Sequence, residues 1–300
     1  MKNKFITIKM ESSELFKKVR KIEIKTRGLS NQIFSGQYHS VFKGRGMAFS
    51  EVREYQFGDD IRNIDWNVTA RFNHPYIKIF DEERELTVML LIDVSGSNHF
   101  GTRKTLKEEM ITEIAAVLAF SAIQNNDKVG MMFFSNVIEK FIPPKKGPSH
   151  ILRIIRELVD FKPQQRGTNL TEPLRFLTNA IKKRCTTFVI SDFIDHGFVD
   201  AIKIANKKHD LIAVQIYDER ETVLPDVGII RVIDAETGAR QWVDTSDFRQ
   251  RAYFKKFNDD QQAFLNDTFL RSGVDWVKIR TDQDYVKPLI NLFKKRGSRR

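Results

Sequence analysis

The sequence predicts a doubly wound, mostly parallel α/β sheet, preceded by an N-terminal subdomain and interrupted late by a β-hairpin insertion. Two observations predict it. From residue 87 onward, short continuous apolar runs alternate with longer stretches of helical spacing, the pattern of strands covered on both faces and joined by crossover helices. The chain also has the material for a large core: 300 residues, 41% hydrophobic and 30% charged, which excludes a wholly disordered protein.

Residues 87–92 (Thr-Val-Met-Leu-Leu-Ile) form the first expected core strand. Residues 104–125 carry Leu106, Met110, Ile114 and Leu118 at helical spacing. A second strand follows at 129–134 and a third at 137–142, joined by a short turn and stopped by Pro143-Pro144. Residues 149–160 and 171–183 are amphipathic helices, 186–190 a further buried strand, 199–207 a helix and 211–216 a strand. Segments 229–233 and 241–243 flank Ala235-Glu-Thr-Gly238 and predict the hairpin. A long helix over 246–270, a strand over 276–279 and a closing helix to about 294 complete the chain.

The first 86 residues differ. Residues 13–22 predict a short basic amphipathic helix with Leu15, Phe16, Val19 and Ile22 on one side. Residues 42–48 form a glycine-bearing loop, and 53–66 are dense in charge and aromatics. Few long apolar runs occur here, so a subdomain over 1–82, packed on an α/β domain over 83–296, is expected.

The net charge of +11 invites a nucleic-acid reading, so its location matters. Residues 1–28 hold nine Lys/Arg against three acids, and 294–300 add five more basic residues. The stretch between them is balanced at 36 basic against 36 acidic. An excess confined to the two ends favours solvated tails over a nucleic-acid domain, and leaves room for peripheral contact with an anionic membrane. No apolar run reaches the roughly 18 residues of a membrane span, and the N-terminus lacks a secretory leader pattern. One cysteine, Cys185, excludes a disulfide framework and a cysteine-based zinc site. A cytoplasmic protein is expected.

In an open parallel sheet, ligands bind beyond the carboxyl ends of the strands. The first core strand ends in Asp93-Val-Ser95-Gly-Ser97, a later one in Ser191-Asp192, and the loop before residue 171 carries Gly167-Thr168-Asn169. Two carboxylates and up to three hydroxyls thus converge on one rim, a donor set suited to a hard cation such as Mg²⁺. The same residue types also serve as turn and helix-cap hydrogen bonders. Their placement at the ends of buried strands favours the cation.

These residues resemble the metal-ion-dependent adhesion site of von Willebrand factor A domains. The upstream block Phe42-Lys-Gly-Arg-Gly46, Glu51-Val-Arg53-Glu54-Tyr55, Gly58-Asp59-Asp60-Ile-Arg62, Ile64-Asp65-Trp66 and Ala70-Arg71 resembles the signature of the "domain of unknown function fifty-eight" family. Members of that family are usually encoded beside MoxR-type AAA+ ATPases. The resemblance implies a von Willebrand A-like, Rossmann-type fold and a Mg²⁺ site (Mn²⁺ or Ca²⁺ being alternatives). Ser95 and Ser97 would bind directly, Thr168 directly or through water, and Asp93 and Asp192 mainly through water. It further implies non-enzymatic, metal-bridged recognition of a partner carboxylate, in chaperone-like maturation or assembly of client proteins with a MoxR-type ATPase. Asn98 departs from the methionine that many such sites carry after the last serine, without removing a ligand.

Two rivals use the same residues. A hydrolase could pair Ser97 with His196, but the second acid that a dehalogenase-type phosphatase needs is replaced by Ser95, and no nucleophile elbow or phosphate-binding loop is present. Nucleic acid or an anionic membrane could use the basic ends. The block from Arg53 to Arg71 also has two readings. Arg53, Tyr55, Arg62, Trp66 and Arg71 form a partner surface in one; in the favoured other, ion pairs tie the subdomain to the sheet, with Gly58-Asp59 as a turn.

Overall fold

The computed structural model describes residues 48–81, 86–99 and 106–298. The expected helix over 13–22 and most of the glycine-bearing loop over 42–48 lie outside them. The chain divides into two compact units, the smaller spanning Phe42–Leu86 and the larger containing everything from Thr87 onward.

The smaller unit pairs strand β1 (Ala48–Glu54) antiparallel with β2 (Tyr76–Asp81). Between them lie a 3₁₀ turn (Ile61–Asn63) and helix α1 (Trp66–Phe72). Asp60 and Asp65 cap these two elements, each accepting hydrogen bonds from backbone N–H groups of the first turn. Asn73 ends α1 in the left-handed conformation at φ 56°. The two strands were not expected: Glu51 and Arg53 in β1 and Lys78 in β2 interrupt the apolar run that marks a buried strand.

The larger unit is built on six strands: β3 (Thr87–Asp93), β4 (Lys128–Phe134), β5 (Ile138–Lys145), β6 (Thr186–Ser191), β7 (Asp210–Tyr217) and β10 (Asp275–Arg280). Their order across the sheet is β10-β7-β6-β3-β4-β5. All neighbours are parallel except β4 and β5. The apolar runs of β3, β4, β6 and β7 are buried throughout, because helices cover both faces. On one face, Met89, Leu91, Val189 and Ala213 pack with Leu174 and Leu177 of α4 (Thr171–Ala180), Ile202 of α5 (Val199–Lys208), and Leu265 and Phe269 of α7 (Phe248–Ser272). On the other face lie α2 (Lys107–Gln124) and α8 (Val286–Ser298); Phe188 of β6 meets Phe293 of α8 edge to face at 6.3 Å. Helix α3 (Pro148–Asp160) packs on α2. The doubly wound, mostly parallel sheet expected from the sequence is the fold found.

Three details correct the expectations. Pro143 and Pro144 do not stop β5, which runs to Lys145: it is an edge strand whose register slips between Val129 and Met131 of β4, where residues lacking N–H donors are tolerated. Leu106 does not lie on the buried face of α2; it precedes the helix and is exposed, while Lys107 is buried. The four-residue helix α6 (Glu219–Thr222), after β7, was not expected.

The late insertion is a hairpin, β8 (Ile229–Ile233) paired antiparallel with β9 (Arg240–Asp244), a two-stranded sheet of its own. Asp234 shapes its turn by accepting from the N–H groups of Glu236 and Thr237, and Gly238 sits at φ 71°.

The chain order places β4 and β5 on one side of β3 and β6, β7 and β10 on the other. The crevice beyond the carboxyl ends of β3 and β6 is therefore the topological switch point, where open α/β sheets bind ligands.

Candidate functional site

Strands β3 and β6 are paired neighbours, so their last residues deliver Asp93 and Ser191-Asp192 side by side. Asp93 is buried and accepts from the Ser95 N–H at 2.8 Å and the Ser191 hydroxyl at 2.6 Å. The Ser95 and Ser97 hydroxyls lie 3.0 Å apart. Asn98 donates its amide to the Asp93 carbonyl oxygen at 2.8 Å, and its own Oδ1 is buried with no hydrogen-bond partner among the described residues. Past β6 the chain turns sharply: Phe193, fully buried, holds φ 59°, a conformation costly for an aromatic residue. The Ser191 hydroxyl accepts from its N–H at 2.9 Å and fixes that turn.

Lys107, at the first turn of α2, is fully buried and reaches Asp192 at 2.9 Å and Glu221 at 2.6 Å. A capping box in α6 aims Glu221, whose second oxygen accepts from the Asp218 N–H at 2.9 Å. Burial alone would lower the pKa of Lys107, but the charges of Asp192 and Glu221 outweigh it and hold the ammonium protonated. Burial alone would raise Asp192; the Lys107 ammonium overrides it, with the Ser97 hydroxyl and a Lys107 hydrogen bond adding, so this carboxyl is lowered. Asp93 goes the other way, to about 7, through burial and the neighbouring Asp192 charge.

The third strip of the rim is the loop before α4. Its backbone is pinned by Glu139, which accepts from the N–H groups of Gln164 and Gln165, and by Ser135, whose carbonyl accepts from Asn169 at 3.0 Å. The Gly96 N–H donates to the Arg166 carbonyl at 2.8 Å and stitches this loop to the Asp93–Ser97 turn. Thr168 donates its hydroxyl to Glu236 of the hairpin turn at 2.9 Å, leaving the oxygen's lone pairs available.

The structure thus brings Asp93, Ser95, Ser97 and Asp192 into one bonded cluster, with Thr168 on the adjoining loop. Among the described residues no group of three or more His, Cys, Asp or Glu side chains is arranged to hold a metal. The donors here are of another kind: two close hydroxyls, a further one on Thr168, and two buried carboxylates of which only Asp192 has a countercharge among the described residues. With the orphaned Asn98 oxygen beside them, they fit a hard cation held by hydroxyls and water. His196 is turned elsewhere and packs edge to face on Phe264 at 5.0 Å. Cys185 is buried, its thiol pushed up to about 11 by burial.

The residues Arg53, Tyr55, Arg62, Trp66 and Arg71 belong to the smaller unit. Arg53 grips Asp59 through two hydrogen bonds of 2.9 and 2.8 Å, holding that carboxyl below its ordinary value. Tyr55 is half-buried, its N–H bonded to the Pro75 carbonyl at 2.8 Å. Arg62, Trp66 and Arg71 are exposed.

Sequence reasoning missed Lys107 and Glu221. The first left a signal: residues 107, 110, 111, 114 and 118 share one helical face, and a lysine in that phase must find buried partners. The second left none, because α6 is four residues long.

The family model described as "Protein of unknown function DUF58" matches residues 51–264. An uncharacterised protein of Mycobacterium tuberculosis is 25% identical over 291 residues, covering 96% of this chain and 91% of that one. The solved structure of an aerotolerance-related membrane protein from Bacteroides fragilis covers 72% of this chain and all of its own, at 16% identity and a TM-score of 0.48. The VWA domain of SpRpn10 covers 69% of this chain and 94% of its own, at 12% identity and a TM-score of 0.39.

Proposed function

The chain belongs to the DUF58 family, and from that premise we propose that it is a non-enzymatic, Mg²⁺-dependent protein-interaction module of the cytoplasm. It works with a MoxR-type AAA+ ATPase in chaperone-like maturation or assembly of client proteins. The observation that carries the reading is the buried pair Asp93 and Asp192 beside the Ser95 and Ser97 hydroxyls at the switch point, where Lys107 balances Asp192 but not Asp93.

Ser95 and Ser97 offer hydroxyl oxygens directly, Thr168 directly or through water, and Asp93 and Asp192 hold water in the outer shell. Bound there with few direct carboxylates, Mg²⁺ would supply an electrophilic position for a partner's carboxylate. The chain's own part is to hold that geometry. The Ser191 hydroxyl and Ser95 N–H fix both oxygens of Asp93, and Lys107 fixes Asp192. The ATPase partnership enters through the family resemblance of residues 42–71 and through the exposed Trp66, Arg62 and Arg71 as a surface for it.

Titration calorimetry of Mg²⁺ and Mn²⁺ into wild type, Asp93→Ala and Ser97→Ala tests the reading. One saturable site in wild type, lost in both variants with circular dichroism unchanged, is the expected result. A well-folded wild type that binds neither ion sinks it.

A further inference from the structure

The hairpin turn over residues 234–239 lies against the rim at two independent points. The Ala235 carbonyl oxygen sits 2.3 Å from where a Cβ on Gly96 would stand, so the turn is seated on the residue between Ser95 and Ser97, and only glycine allows that approach. One residue on, the Glu236 carboxylate accepts the Thr168 hydroxyl at 2.9 Å. The hairpin is a two-stranded sheet of its own with Ile229, Ile233 and Trp242 exposed. Such a ribbon is marginal alone, so its tip depends on these rim contacts for its position.

The turn is also built to present that carboxylate. Asp234 receives the N–H groups of Glu236 and Thr237, Gly238 takes the left-handed conformation, and its N–H closes onto the Asp234 carbonyl at 2.9 Å. Asp234 is thereby used inside the turn and held below its ordinary pKa, while Glu236 turns its carboxylate to the rim and accepts the Thr168 hydroxyl there.

We propose that Glu236 is the rim's own carboxylate ligand: it takes the position proposed above for a partner's carboxylate, and a partner gains the site by displacing the hairpin tip. This rests on the reading of the rim as a cation site. It makes the hairpin a competitor carried in the same chain, present at an effective concentration that a weak free carboxylate cannot match.

The test is Mn²⁺ titration into the full chain, followed by calorimetry and by water-proton relaxation, which reports water on the bound ion. Wild type, Glu236→Gln, Glu236→Ala and Ser97→Ala are compared, with thermal melts to confirm folding. If Glu236 is a ligand, both Glu236 variants bind Mn²⁺ about tenfold more weakly, gain relaxation consistent with one more bound water, and respond to added acetate where wild type does not. Wild-type binding that neither Glu236 substitution alters, in affinity or relaxation, overturns the proposal and leaves the cation reading standing. Absence of Mn²⁺ binding in wild type and all variants overturns both.

Discussion

Asp93 and Asp192 are the same residue type, both buried, a strand apart, and their acidities are driven in opposite directions. Only Asp192 has the Lys107 ammonium against it; Asp93 has serine donors and a neighbouring negative charge. That asymmetry has a measurable sign. A carboxyl whose folded pKa, about 7, exceeds its ordinary 3.8 favours the folded state at low pH, and that contribution is lost as pH rises from about 4 to 7. His209 runs opposite. Burial first, then the Lys208 and Arg184 charges, lower it from 6.5 to about 4, so its contribution is present above 6.5 and lost as pH falls toward 4. Urea denaturation across pH 4–8, with chelator present, separates them. Asp93→Asn should remove the component that falls with rising pH, and His209→Gln the component that rises. An Asp93→Asn curve parallel to wild type would show that the Asp93 carboxyl is not the perturbed group. The candidate ligands were legible as residues because Asp93, Ser95, Ser97 and Asp192 stand within four positions of a strand end and Thr168 stands in the loop three residues before a helix. Lys107 was not, because nothing local says which carboxylates a buried lysine will meet.

At the scale of elements, the edge of the sheet decides more than the prolines within it. Strand β5 carries Pro143-Pro144 and still pairs with β4, because the register slip opposite Gly130 gives the proline backbone a place. A Cβ on Gly130 would stand 2.5 Å from the Met89 sulfur, 2.9 Å from the Pro144 nitrogen and 3.0 Å from the Ile142 carbonyl oxygen. The sulfur can move; the two backbone atoms cannot without shifting β5. Gly130→Ala should therefore cost about 1–3 kcal/mol in urea denaturation, and a neutral result would mean that β5 does not lie as close as described. The core strands were readable from continuous apolar runs such as 88–92 and 131–134, whereas β1 and β2 were not, since charged residues interrupt each of them.

Across the whole molecule, the basic C-terminus is less free than its composition implies. Arg296 lies in the run 294–300 that suggests a solvated tail, yet it is buried and clamps Asp210 of β7 at 2.6 Å and Asp275 of β10 at 2.7 Å. The closing helix α8 is thereby stapled to the far edge of the sheet, and part of the terminal charge excess is structural. Arg296→Ala should cost about 2 kcal/mol, below the 3–5 of a fully buried pair because both aspartates retain some water contact. Lys295→Ala, one residue away and exposed, should be neutral. Equal effects in thermal melts would return Arg296 to the tail. No helix among the described residues is long and apolar enough to cross a membrane.

The order of strands and helices and the late hairpin follow from the sequence, because each is written in local periodicity, and the candidate rim residues Asp93, Ser95, Ser97, Thr168 and Asp192 were nominated from it by their places after strands and before a helix. Tertiary structure alone decided what those residues face. Lys107 closes on Asp192 across 85 positions, and Glu236 reaches Thr168 across 68. Periodicity sets which way a side chain points within its own element. The partner it finds depends on strand order and on where a distant turn lands, and no local pattern encodes that.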